Sequence, residues 1–152
     1  MAKAPHLLIV EARYYTHIAD ELAQGAEAAL KAAGASFRRI AVPGAFELPA
    51  AIAAATLSKT PHYDGFVALG CVIRGETSHY DLVCTEAARG IQVLALSGLA
   101  IGFGLLTVEN EAQALARARR DQKDKGGEAA RACLAMIALS RRLAGKPKKK
   151  SR

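Results

Sequence analysis

Tryptophan is missing from this chain of 152 residues, and its aromatics stop at four tyrosines and four phenylalanines. A folded nucleic-acid surface interleaves basic residues with aromatic rings on its body, so no specific nucleic-acid partner is expected. Cysteine is sparse too. Cys71, Cys84 and Cys133 are odd in number, far apart and never in a C-x-x-C pair. That does not make a disulfide scaffold. Reduced, mostly buried thiols of a cytoplasmic protein are expected instead. No apolar run reaches the roughly 18 residues of a membrane span, so no membrane partner is expected. The early stretch Leu7-Leu8-Ile9-Val10 is too short for a secretory signal and no cleavage site follows it, so no leader is expected either. The histidines His6, His17, His62 and His79 lack ligand spacing, and no metal is expected. Walker A, G-x-G-x-x-G and G-x-S-x-G patterns are all absent.

What is present is an apolar chain, 51% hydrophobic, long enough for one domain with a sizeable core. The net charge of +7 is mostly terminal. Lys146, Lys148, Lys149, Lys150 and Arg152 supply five of those charges, leaving +2 on the body. Residues 1–144 are expected to form the single domain. Residues 145–152 are expected to be a basic disordered tail that supports solubility and weak polyanion attraction.

Strand and helix patterns alternate along the body. Residues 7–12, 36–42, 65–73 and 100–106 read as strands, and 65–73 is apolar almost throughout, as a strand covered on both faces should be. Residues 17–33 put Ile18, Leu22, Ala26, Ala29, Leu30 and Ala33 on one helical face, and Gly34 ends that helix. Further helices are expected over 49–57, 80–96, 110–120 and 127–143. Asn110 with Gln113 reads as an N-cap pair. The last helix is expected to turn Cys133, Met136, Ile137, Ser140 and Leu143 inward. Strand–helix alternation with short links predicts a parallel sheet with helices on both faces. In such a sheet ligands bind beyond the carboxyl ends of the strands.

Those ends carry the chemistry-bearing residues. Arg74-Gly75-Glu76-Thr77-Ser78-His79 combines a glycine loop, two hydroxyls and an imidazole at a helix start. Successive backbone N–H groups there can cradle an anion, and an imidazole can move protons near neutral pH. An ordinary cap, with Ser78 capping and His79 on the surface, fits equally well. In Val42-Pro43-Gly44-Ala45-Phe46-Glu47, the glutamate either caps its helix or accepts bonds from the hydroxyls of a polyol. Tyr14 either packs or stacks on a flat heterocycle. Phe103, between Gly102 and Gly104, reads on its own as core filler. Arg117, Arg119, Arg120, Lys123 and Lys125 suit a helix C-terminus and a solvated face, although one arginine could grip a phosphate with its fork.

VPGAFELP, GCVIRGETSHYD and GFGLLTVEN, followed by Arg117 and Lys125-Gly126, together resemble the lumazine synthase family from about Leu7 to Leu143. The resemblance implies an α/β/α sandwich on a four-stranded parallel sheet, flavodoxin-like. It implies condensation of 5-amino-6-(D-ribitylamino)uracil with 3,4-dihydroxy-2-butanone 4-phosphate, with no metal or organic cofactor. It implies a homo-oligomer built on pentamers, with active sites at subunit interfaces, and hollow shells in some members. Residue by residue, Tyr14 matches an aromatic that stacks on the pyrimidine. Many members carry Phe or Trp at that position, so Tyr14 is a departure that keeps a ring. Ala45, Phe46 and Glu47 match the segment holding the ribityl chain, and Cys71, Val72 and Ile73 a strand end that reads the uracil edge. Glu76 and Thr77 match the loop around the butanone phosphate, and His79 the proton-transfer residue. Phe103 matches a ring reaching the neighbouring subunit's site, Arg117 the phosphate-binding arginine and Lys125 a second cation. Residues 119–127 are charged where shell-forming members are glycine-rich, which leans toward an isolated pentamer. A non-catalytic flavin or lumazine binder, or a shell-forming protein on the same scaffold, is the alternative.

Overall fold

A computed structural model describes residues 3–145. The elements run β1 (His6–Ala12), α1 (Thr16–Ala32), β2 (Ser36–Val42), a 3-10 turn (Ala45–Glu47), α2 (Leu48–Leu57), β3 (Gly65–Ile73), α3 (His79–Leu96), β4 (Ile101–Val108), α4 (Glu111–Ala118) and α5 (Lys125–Ala144). All strand pairs are parallel, in the order β2-β1-β3-β4. This is the strand order of flavodoxin-type doubly wound sheets. The expected α/β/α sandwich is therefore what forms. The basic segment expected over 145–152 lies, beyond Gly145, outside the described residues.

Alternation along each strand divides the core into two layers. Leu7, Ile9, Val67, Leu69 and Leu106 point to one face and pack under α1, α4 and α5. Leu8, Val10, Phe66, Ala68 and Leu105 point to the other and pack under α2 and α3. Because β1 and β3 are central, both faces are covered, and seven of the nine β3 residues are buried. β2 and β4 are the edges. β2 is largely exposed, and even Ile40 shows to solvent.

The local signals behave as chemistry demands. Gly34 takes φ +71°, and the α1 terminus closes with Ala35 N–H to Leu30 O at 3.0 Å and Gly34 N–H to Lys31 O at 3.0 Å. That pairing satisfies carbonyls which a helix end otherwise leaves open. Asn110 Oδ1 accepts from Gln113 N–H at 2.9 Å, as the N-cap reading expects. The Gln113 amide returns to Glu109 N–H, one residue earlier than a standard capping box.

Two expected inward faces are corrected. Ala33 is exposed, because the chain has already left the helix toward Gly34. On α5, Met136, Ser140 and Leu143 face solvent, Leu143 at 61%. The buried stripe is Gly126, Ala129, Ala130, Cys133 and Ile137. Small residues let α5 lie close on the sheet and on α1, and the large apolar residues fall off that line. The last turn is tied instead through Arg141 Nη1 to Lys3 O at 2.7 Å.

Candidate active site

β1 crosses over to β2 on one side, and β3 lies on its other side, so the sheet's switch point falls between β1 and β3. A cavity of about 590 Å³ opens there, beyond the carboxyl ends of both strands. Tyr14 and Tyr15 enter from the end of β1. Gly44, Ala45, Phe46 and Glu47 enter from the 3-10 turn, and Cys71, Val72 and Ile73 from the end of β3. His79, Leu82 and Val83 enter from the first turns of α3.

Each of these groups is placed by its neighbours. Gly44 is extended, and Glu47 N–H closes the turn onto Gly44 O at 3.2 Å. Leu48 beside it is fully buried and anchors the start of α2. The Glu47 carboxylate makes no cap bond to α2, so the capping role fails and the acceptor remains available in the cavity. Tyr14 is 74% exposed at the mouth, touched edge-on by Tyr15 at 4.9 Å between ring centroids. Its packing role also fails, and its face is open to a ligand.

Every residue of the glycine loop after β3, from Arg74 to His79, is exposed. Ser78 makes no side-chain cap bond. Thr77 Oγ1 does the capping instead, accepting from His79 N–H at 3.3 Å. His79 is the first residue of α3 and reaches the cavity rim. Arg74 is spent on structure. Its Nε bonds the Glu109 carboxylate at 3.0 Å, and its guanidinium lies 4.2 Å from the Tyr80 ring centroid. Glu76 and Thr77, expected near the phosphate, line neither this cavity nor the one described next.

A second hollow of about 200 Å³ lies along β4, lined by Phe103 to Thr107 with Arg117 of α4 and Lys125 of α5. Phe103 is therefore not core filler. Its neighbours Gly102 and Gly104 are buried while its own ring is 48% exposed, because the edge strand has no further strand or helix over that position. Arg117 Nη1 bonds Gln113 O at 3.1 Å and finds no carboxylate among the described residues. Lys125 pairs with Glu128 at 2.8 Å. The two hollows share no residue, and among the described residues no lysine or arginine lines the first. One chain thus holds the His79 imidazole and the open Tyr14 ring in one place and the Arg117 and Lys125 cations in another.

This divided constellation sits in the sequence segments that define a known family. The family model of 6,7-dimethyl-8-ribityllumazine synthase matches residues 4–141. The chain belongs to the 6,7-dimethyl-8-ribityllumazine synthase family. It is 61% identical to the enzyme of that name from Novosphingobium aromaticivorans over 135 residues, 89% of this chain and 96% of that one. It is 58% identical to the one from Agrobacterium fabrum over 145 residues, 93% of this chain and 98% of the other. It is 57% identical over 145 residues to 6,7-dimethyl-8-ribityllumazine synthase 1 of Rhizobium meliloti.

Within this lumazine synthase scaffold, sequence reasoning missed Tyr15, Gly44, Leu82 and Val83 as cavity residues. Leu82 and Val83 follow His79 at i+3 and i+4, so helical spacing alone could have placed them on its face. Cys71 was selected, and it closes the cavity floor at 8% exposure. Burial, with a smaller contribution from nearby Cys84, pushes its thiol up from 9.0 to about 12. Burial pushes Cys133 up to about 12 as well. A raised folded-state pKa favours the neutral thiol. The stability this adds is complete below pH 9 and is lost as pH climbs through about 12. Native protein treated with iodoacetamide at pH 8 should therefore leave Cys71 and Cys133 unmodified, and the denatured chain should take up label at all three cysteines. Peptide mass mapping reads the difference. Rapid labelling of native Cys71 would contradict this picture of the floor.

Proposed function

We infer that this chain condenses 5-amino-6-(D-ribitylamino)uracil with 3,4-dihydroxy-2-butanone 4-phosphate to give 6,7-dimethyl-8-ribityllumazine, phosphate and water, the penultimate step of riboflavin biosynthesis. The observation that carries it is a single cavity bringing Tyr14, Glu47, Cys71–Ile73 and His79 together in a chain whose family match spans residues 4–141. Tyr14 stacks on the pyrimidine. The strand-end backbone at Cys71, Val72 and Ile73 reads its polar rim, and Ala45, Phe46 and Glu47 hold the ribityl chain, with Glu47 accepting its hydroxyls. The uracil amine attacks the ketone, and imine formation releases water. Proton removal beside the imine expels phosphate, and ring closure releases a further water. His79 stands where it can carry the protons of these steps.

Phosphate departure needs a cation, and among the described residues no lysine or arginine lines the first cavity. Arg117 and Lys125, with Phe103, complete the site from a neighbouring copy. The assembly is a pentamer, and Glu76 and Thr77 reach the phosphate only where two copies meet. Among the described residues no helix is long and apolar enough to cross a membrane, and the working compartment is the cytoplasm.

The decisive experiment mixes the purified protein with both substrates and follows lumazine fluorescence. Affinity without product would leave only a binding protein on this scaffold. His79→Ala should lower kcat by about a hundredfold at most, toward the low end of general acid–base contributions, because holding two substrates together supplies most of the acceleration. Steady-state kinetics check this. An unchanged kcat would remove His79 from proton transfer.

A further inference from the structure

Glu11 is the one charged side chain among the described residues that is fully inside the fold, at 3% exposure. It sits next to the end of β1 and points, like Leu7 and Ile9, toward α1. Its carboxylate is completely engaged. Oε1 accepts from Arg13 Nη1 at 2.7 Å and from Arg39 Nη2 at 2.9 Å, and Oε2 accepts from Arg39 Nε at 2.8 Å. Arg39 comes from β2 and also bonds Glu27 of α1 at 2.7 Å. The bonds to Glu11 hold the Arg39 guanidinium pKa above its ordinary value, against the pull of burial. The second arm of Arg13 pairs with Asp20 of α1.

A buried acid in an arginine clamp is not needed for stability, since apolar residues of similar volume often serve as well or better. What this clamp does is grip Arg13 from both sides, Glu11 behind and Asp20 ahead. Arg13 is the residue from which the chain turns into Tyr14. The Tyr14 ring is 74% exposed and so has little packing of its own, the Tyr15 ring standing edge-on to it. Its place at the cavity mouth is therefore set by the backbone at Arg13.

We propose that Glu11 is a positioning residue, which with Arg39 clamps Arg13 and so holds the Tyr14 ring over the cavity. The kinetic part of the proposal rests on the functional reading above, in which Tyr14 stacks on the pyrimidine. Glu11→Gln removes the clamp's charge but leaves two buried guanidinium groups poorly matched, which can unfold a chain. Arg13→Gln is the safer variant, because Glu11 keeps its bonds to Arg39. The chain has no tryptophan, so Tyr14→Trp installs a single indole at the mouth.

Steady-state anisotropy of that indole should fall when Arg13→Gln is added, with the melting temperature little changed. In the native-tyrosine background, Arg13→Gln should raise KM for the pyrimidine substrate about tenfold, less than the roughly hundredfold that a 1 Å misplacement can cost, and leave KM for the butanone phosphate within twofold. In a Tyr14→Ala background the same change should have no further effect on the pyrimidine KM. Unchanged anisotropy, a parallel rise of both Michaelis constants, or an undiminished effect without Tyr14 would each overturn the proposal. If the unaltered protein makes no lumazine, the functional reading fails, and the anisotropy alone decides whether the clamp positions the ring.

Discussion

Arg117→Ala should raise the Michaelis constant for 3,4-dihydroxy-2-butanone 4-phosphate by about 10-fold to 150-fold, equivalent to roughly 1.5–3 kcal/mol for a hydrogen bond to a charged group. Three observations set that scale. Arg117 is half-buried, its guanidinium is tied only to Gln113 O, and no carboxylate among the described residues neutralises it. It also lies in a hollow separate from the cavity lined by His79. The separation gives a sharper result than either variant alone. Chains carrying His79→Ala lack the imidazole half of the site, and chains carrying Arg117→Ala lack the cation half. On the proposed shared site, in a closed ring of like interfaces, each site takes one half from each of two neighbours. Unfolding the two variants together and refolding them as a mixture should restore about a quarter of the sites with both native halves. Each variant refolded alone should gain nothing. Mixed assemblies no more active than the average of the two parents would place the whole site within one chain and end the shared-site reading.

Much of the architecture could be read from the residues because the physical signals were local. The apolar run 65–73 announced a central strand, Gly34 announced a helix stop, and Asn110 with Gln113 announced a helix start; the structure places all three where those signals put them. The strand-end rule then pointed to the end of the sheet where the larger described cavity opens. What could not be read were relations between elements distant in sequence. Met136 and Leu143 are as apolar as any core residue, and only the closeness of α5 to α1 and the sheet shows that glycine, alanine and cysteine make the contact instead. Phe103 looks like core until β4 proves to be an edge. Ser78 reads as the cap on paper, and the loop's path gives that bond to Thr77 instead. Glu11 gave no sign at all. A lone acid in LLIVEA becomes an anchor only when Arg39 arrives from the neighbouring strand.

Gly126→Ala should be among the most damaging single-methyl changes to the folded state. Gly126 opens α5 against the backbone of α1, and a Cβ there would stand inside the van der Waals shell of the Leu22 carbonyl. Leu22 is itself fully buried, so α1 cannot swing outward without opening the core. Most overpacking finds relief in a side-chain rotamer, but here the obstacle is backbone. The cost should lie at the upper end of the usual range for overpacking, about 3 kcal/mol. For a chain of this size that lowers the melting temperature by roughly 6–12 °C. The effect should reach the site as well. Pushing α5 away from α1 displaces Lys125, one residue earlier, from the hollow it shares with Phe103 and Arg117. The matched control is Gly75→Ala in the loop after β3, where an added Cβ meets nothing within 4 Å. That change should move stability by no more than about 0.5 kcal/mol. Thermal unfolding of the two variants beside the parent tests the contrast. If Gly126→Ala melts with the parent, α1 and α5 do not cross as closely as described, and the small-residue stripe on α5 has no structural role.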